Sequence, residues 1–184
     1  AAVINESAET IVATGAVISS IPMVDSIPSV SMFEDGDDVV VDADAGTVEI
    51  KGMEMRTVVS SVILSGGRIL MLKRPETCRS FPGKWSLVSG KIEAGESPVE
   101  AARREIVQIC VANPDAMLKP IYVRENGILW KVHPFLYRLG EVEPVLNEEN
   151  EAFDWVDPAD VGKKSVVDDV PCIVEGLVRR ANSD

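Results

Sequence analysis

Cysteine is scarce in this sequence. Cys78, Cys110 and Cys172 are odd in number, far apart and not at metal-ligand spacing. A disulfide framework is therefore excluded, and a reducing, cytoplasmic setting is expected. Basic residues are outnumbered: 18 Lys and Arg stand against 30 Asp and Glu, a formal net charge of -12. Such a chain repels polyanions at long range, which excludes DNA or RNA as a partner. A small anionic ligand stays compatible where a local basic cluster or a divalent cation offsets the field. Long hydrophobic runs are also missing. Nothing approaches the roughly 20 apolar residues that span a bilayer, so no membrane partner is expected. The N-terminus lacks the basic segment of a signal peptide. It opens AAVINESAET, without an initiator Met, and reads as starting part-way into a domain. What is present is a 46% apolar content, enough for a packed core.

The chain divides by charge. Residues 1–52 hold one Lys and no Arg, whereas both signs mix from residue 53 onward, so a boundary is expected at Lys51–Met55. In the first region, Glu6–Ser19 reads as a helix. Val39–Val41 and Thr47–Ile50 read as a hairpin with Asp-Ala-Gly turn chemistry. One helix and one hairpin bury little surface alone, so this piece needs a partner. In the second region, Thr57–Leu64 and Arg68–Lys73 read as strands, and Trp85–Ser89 as a short extended segment. Ser97 and Glu100 form a capping box with Pro98 at the first helical position, and Asn113–Pro114 is a stop, predicting a helix over Pro98–Ala112. Pro120–Arg124, Ile128–Lys131 and Pro134–Leu139 read as strands, and Asp169–Arg180 as a closing helix. A mixed sheet between helices, an α/β fold, accounts for this order.

The chemistry concentrates in GKIEAGESPVEAARREIVQIC, residues 90–110. Gly90 and Gly95 permit a tight loop that presents Glu93 and Glu96 ahead of the helix. On that helix Glu105, Gln108 and Ile109 are spaced i, i+3, i+4 and would share one face. Carboxylates on that face would suit Mg²⁺, which takes a few acidic ligands and completes its shell with substrate phosphate oxygens. Here only one of the three positions is anionic.

Gly90, Glu96, Arg104, Glu105 and Ile106 resemble the Nudix box: Gly, five residues, Glu, seven residues, Arg-Glu-apolar, any, Glu-Glu, any, Gly-apolar. The Glu-Glu pair of that pattern falls on Gln108 and Ile109, and its second Gly on Val111. The preceding RILMLKRPETCRSFPGKWSLVSG and the later WKVHPFLYRL and NEENEAFDWVDPADV are also similar to the family. The resemblance implies a Nudix α/β/α sandwich with a mixed sheet over residues 56–184. It further implies hydrolysis of a small nucleoside-diphosphate-like metabolite with Mg²⁺ or Mn²⁺, weakened by the two replaced glutamates. By the same resemblance Glu105 is a metal ligand, with Gln108 offering one neutral oxygen. Arg104 braces the loop through Glu96. A catalytic carboxylate comes from the acidic run Glu148, Glu149 and Glu151, with Glu149 the candidate. Lys73, Arg74, Arg79 and Lys84 form a basic cluster suited to phosphates. Arg74, Lys84 and Gly90 are the candidate substrate-binding residues. His133 and the three tryptophans read as packing residues.

INESAETIVATGAVISSIPMVDS and EDGDDVVVDADAGTVEI resemble the C-terminal end of a swivelling β/β/α domain. The likeness is to the small subunit of aconitase-like mevalonate 5-phosphate dehydratases. A more distant likeness is to the mobile domain of phosphoenolpyruvate-using enzymes, whose phosphorylated His has no counterpart, because residues 1–52 contain no His. Three functions stay open at this level: a weak hydrolase, a catalytically inactive nucleotide-binding or regulatory module, and an accessory part of a dehydratase-like assembly that meets a protein partner through residues 1–52.

Overall fold

Residues 59–63 and 69–72 are apolar or small at successive positions, the mark of strands covered on both faces. The computed structural model, which describes residues 1–107, 109, 111–146 and 149–181, places them in two paired strands of its large mixed sheet. In chain order the elements are β1 (Val3–Ile4), α1 (Thr10–Ile18), β2 (Met23–Val24), β3 (Val39–Asp42), β4 (Thr47–Ile50), β5 (Glu54–Ser65), β6 (Arg68–Lys73), β7 (Trp85–Ser86), β8 (Val88–Lys91), α2 (Pro98–Ile106), β9 (Ala116–Met117), β10 (Ile121–Glu125), β11 (Ile128–Leu139), β12 (Ala152–Val156) and α3 (Val170–Ala181). Short 3-10 turns lie at Val30–Met32 and Pro158–Lys163.

Two compact units result, one of Ala1–Arg56 with Ile121–Trp130, the other of Thr57–Pro120 with Lys131–Asp184. In the first unit, β1 and β2 pair in parallel around α1, and β3 pairs antiparallel with β4 in the register Val39↔Ile50. Helix α1 is shorter than the expected Glu6–Ser19 because the residues before it have other partners. Glu6 accepts from Val30 N at 2.6 Å, and Asp25 accepts from Ala8 N at 2.7 Å. Arg124, 14% exposed, ties β10 into this unit. It donates to Met32 O at 2.8 Å and to both oxygens of Asp37, whose carboxyl is held below the usual range by that guanidinium.

In the second unit the sheet order is β11-β5-β6-β12, with β8 pairing β5, β7 pairing β6 and β9 pairing β11. Alternation sorts the side chains. Val59, Ile63, Leu70, Leu72, Val88, Phe135 and Tyr137 point to one face, where they meet Ala101, Ala102 and Ile106 of α2. The two alanines are fully buried and let the helix settle close to the sheet. The intervening residues Val62, Ile69, Met71 and Leu136 point to the other face and are also buried. Each such aliphatic side chain contributes about 1.5–3 kcal/mol on burial.

Two expectations need correction. The strand expected to break at Val132–His133, between Ile128–Lys131 and Pro134–Leu139, is continuous from Ile128 to Leu139; Pro134 gives up only a donor, and its carbonyl accepts from Leu118 N at 3.2 Å. The helix expected to reach Ala112 ends at Ile106. Its capping box is present, with Ser97 N donating to Glu100 at 2.8 Å, but the chain beyond is rich in β-branched residues of low helix propensity. The ladder tightens there to three-residue spacing, Ile109 N donating to Ile106 O at 2.8 Å.

Candidate active site

Arg104 organises the loop between β8 and α2. Its Nε and Nη2 donate to the two oxygens of Glu96, each at 2.9 Å, and Nη2 also donates to Lys91 O at 2.7 Å. Glu96 is further held by Glu93 N at 3.0 Å, across a turn in which Gly95 takes φ +83°. The hydrogen bond from Arg104, joined by that from Glu93, lowers the Glu96 carboxyl to about 2. A depressed acid stabilises the fold fully above its ordinary value of 4.5 and loses that contribution as pH falls through about 2, so the bracket persists well into acid.

Glu105, one residue on, accepts from Arg104 Nη1 and lies against Gly90 of β8. A Cβ at Gly90 would meet Glu105 Oε1 at 1.9 Å, so only glycine leaves this carboxylate its position. Burial raises the Glu105 carboxyl; Arg104 opposes the rise, and the negative charge of Glu149 adds to it. Both carboxylates line one cleft that is partly open to solvent. Its other polar groups include Arg74, Ser86, Ser89 and Asn150, and its aliphatic ones include Leu72, Ile109, Pro144, Val145 and Leu146.

The remaining candidates separate. Arg74 lines the cleft, its Nε fixed by Ser80 O at 3.0 Å. Lys84 does not line it; its ammonium pairs with Asp168 at 2.8 Å. Lys73 pairs with Glu151 at 2.5 Å, which withdraws both from the anion site and the carboxylate set. Gln108, Cys110 and Glu148 lie outside the described residues. Ile109 does reach the cleft, although α2 has already ended. Sequence reasoning missed Ser86 and the 144–146 segment. The one available signal was an apolar triplet, Pro-Val-Leu, inside an otherwise acidic loop.

The donor set defines what cation the cleft fits. Among the described residues no group of three or more His, Cys, Asp or Glu side chains could hold a metal ion. Two carboxylates do suit a divalent ion that fills its other positions with water and phosphate oxygens.

Residues 54–174 match the NUDIX domain, and residues 1–50 match the aconitase X swivel domain. The phosphomevalonate dehydratase small subunit of Thermococcus kodakarensis is 61% identical over 49 residues, 27% of this chain and 36% of that protein. The nucleoside triphosphatase NudI of Enterobacter sp. strain 638 is 43% identical over 54 residues, 29% of this chain and 38% of that protein. The chain thus spans little more than a third of these curated relatives. The crystal structure of the MutT protein from Methanosarcina mazei Go1 superposes with a TM-score of 0.62 at 21% identity, over 72% of this chain and 99% of that one, a likeness of fold alone. No helix among the described residues is long and apolar enough to cross a membrane.

Proposed function

The chain belongs to the Nudix family, and on that premise we propose that it hydrolyses a small diphosphate-containing metabolite slowly, with Mg²⁺ or Mn²⁺ brought in largely by the substrate's own phosphates. The observation that carries this reading is the placing of Glu105 and Glu149 in one cleft with Arg74. A bound divalent ion polarises a phosphoryl oxygen and eases deprotonation of the attacking water. Glu105 and Glu149 would hold that ion between them, and Gln108 would add at most one neutral oxygen. Arg74 would face the phosphates as a charge-assisted donor. Arg104 acts through its neighbours, fixing the loop and Glu105. With Ile109 in place of a third acid, affinity for the bare cation is low and turnover is slow.

Titration of Mn²⁺ by calorimetry tests the reading. Wild type should bind Mn²⁺ weakly alone and more tightly beside a methylene-bridged diphosphate, and Glu105→Gln should lose the second effect. Identical titrations would remove the metal site. Gln108→Glu combined with Ile109→Glu should raise hydrolysis across a diphosphate panel; a folded double variant without gain would favour a binding module over an enzyme.

A second reading concerns the N-terminal region, which we place in a separate swivel-type piece, residues 1–52, ahead of a Nudix domain at 56–184. Ile11, Val17 and Ile18 of α1 are largely exposed, a face suited to a protein partner. Co-purification with a large subunit would support that role, and a monodisperse monomer from native extract would count against it.

A further inference from the structure

We propose that Phe81 is a positioning residue for the cleft: its left-handed backbone holds the Ser80 carbonyl against Arg74 and so aims the guanidinium at a ligand phosphate. This rests on the hydrolase reading above, which gives the phosphates to Arg74. Arg74 lines the cleft and opens the loop that joins β6 to β7. That loop is closed on itself. Arg74 N donates to Lys84 O at 3.0 Å, and Pro75 O accepts from Cys78 N at 3.1 Å and from Gly83 N at 3.4 Å. Lys84 N donates to Phe81 O at 3.3 Å across Pro82 and Gly83, and Gly83 takes φ +67°. Proline second and a positive-φ glycine third are the composition of a type II turn.

The residue that leads into this turn is out of place by local rules. Phe81 takes φ +53°. A bulky side chain rarely enters that region, and a residue ahead of proline is driven toward extended backbone. Such a conformation persists where the surroundings impose it, and it concentrates at functional sites. Here it has a specific product. The φ of Phe81 sets the tilt of the peptide that joins it to Ser80, and the oxygen of that peptide accepts from Arg74 Nε at 3.0 Å. Among the described residues the Arg74 side chain has no other hydrogen bond or ion pair. Its two terminal nitrogens are therefore open to two oxygens of one phosphate, the forked contact a planar guanidinium makes best. A guanidinium already fixed at Nε also loses less freedom when a ligand arrives.

The test uses the whole chain, isotopically labelled for side-chain NMR. The Arg74 Nε–H signal, assigned by its loss in Arg74→Lys, should exchange slowly with water. Phe81→Asn removes the ring, which Lys84 Nζ approaches at 5.8 Å, but tolerates positive φ, so slow exchange should be kept. Phe81→Pro fixes φ at about −65° and should speed the exchange severalfold. Should that variant not fold, Phe81→Val, β-branched and also averse to positive φ, takes its place. Calorimetry with Mn²⁺ and a methylene-bridged diphosphate supplies the second readout. Phe81→Asn should bind as wild type does, and Phe81→Pro should weaken binding by up to about tenfold. Added to Arg74→Ala, Phe81→Pro should have no further effect. Fast exchange in wild type, an asparagine variant as impaired as the proline one, or effects that add to Arg74→Ala would each overturn the inference. An effect of Arg74→Ala with none of Phe81→Pro overturns the positioning alone and leaves the hydrolase reading standing. If no analogue binds wild type, that reading falls, and the exchange pattern alone decides whether Phe81 holds Arg74.

Discussion

Replacing Gly90 by alanine isolates the position of one carboxylate. The new Cβ would lie 1.9 Å from Glu105 Oε1, 2.0 Å from Cδ and 2.5 Å from Cγ, where ordinary contact begins at 3.4 Å. All three atoms belong to the far part of a flexible side chain, so Glu105 must swing away and the strand need not. Gly90 also lies outside the positive-φ region, so alanine fits its backbone. The stability terms are small and opposed. Alanine restricts the unfolded chain, worth about 0.4–1 kcal/mol. The Arg104–Glu105 pair, only partly shielded from solvent, is worth up to about 1 kcal/mol. Unfolding free energies from urea denaturation should therefore agree to within about 1 kcal/mol. Binding should not agree: Mn²⁺ affinity beside a methylene-bridged diphosphate should fall to that of Glu105→Gln. Gly95→Ala is the control. Gly95 has φ +83° and open space around it, so alanine there should cost about 1 kcal/mol of strain while leaving Glu105 in place. Gly90→Ala binding like wild type would refute the reasoning, and so would its global unfolding.

Two further outcomes follow from the surroundings of the cleft and of α3. Burial raises the Asp169 carboxyl to about 6, from an ordinary 3.8. A raised acid favours the native state in its protonated form, so its cost begins above 3.8 and is complete above about 6. Asn keeps the helix-start geometry, in which Asp169 O accepts from Ile173 N at 3.0 Å, and removes the charge. Asp169→Asn should therefore be about 2 kcal/mol more stable at neutral pH, residual solvent contact being allowed for, and equal to wild type near pH 4 by urea denaturation. An advantage that does not shrink with acid would sink this account. Arg74→Ala should weaken a diphosphate analogue about tenfold by calorimetry, and Lys84→Ala, which breaks the Asp168 pair and the contact over the Phe81 ring, should change it little. The reverse pattern would move the phosphates to the other end of the basic cluster.

What could be read in advance was whatever is decided locally. Arg68–Lys73 is a strand with the expected bounds because its continuous apolar run and its Gly66–Gly67 turn lie within a few residues. The start of α2 is written in Ser97, Pro98 and Glu100, and the structure forms each of those bonds. Pairings between distant residues could not be read. The two-residue strands β1 and β2 exist only because they find each other across α1, and β9 only because Ala116–Met117 meets Phe135–Leu136. Site residues divided the same way. Glu96, Arg104 and Glu105 lie on one loop and helix, and the family resemblance that named them implied the contact of Arg104 with Glu96 though not that with Glu105. Lys84 and the acidic run with Glu149 and Glu151 lie on segments outside that loop and helix, and which side chains Lys84 and Glu151 faced depended on the tertiary partners Asp168 and Lys73.

Ile109 joins these strands of argument. Read as a box residue it is a loss, because an aliphatic side chain cannot coordinate a cation and α2 has ended before it. In the structure it nevertheless faces the same cleft as Glu105 and packs against the core beside that cleft. A residue merely released from metal binding would be free to become polar and solvated. One that packs on the core while lining the cleft with Val145 and Leu146 contributes apolar surface that water does not favour. On the hydrolase reading proposed above, one aliphatic side chain at this position would leave the cation a ligand short while packing the edge of the cleft onto the core. Restoring glutamate at 109 should strengthen Mn²⁺ binding by calorimetry and lower stability in urea together, because the new charge replaces a side chain packed on the core; an unchanged affinity would refute the reading.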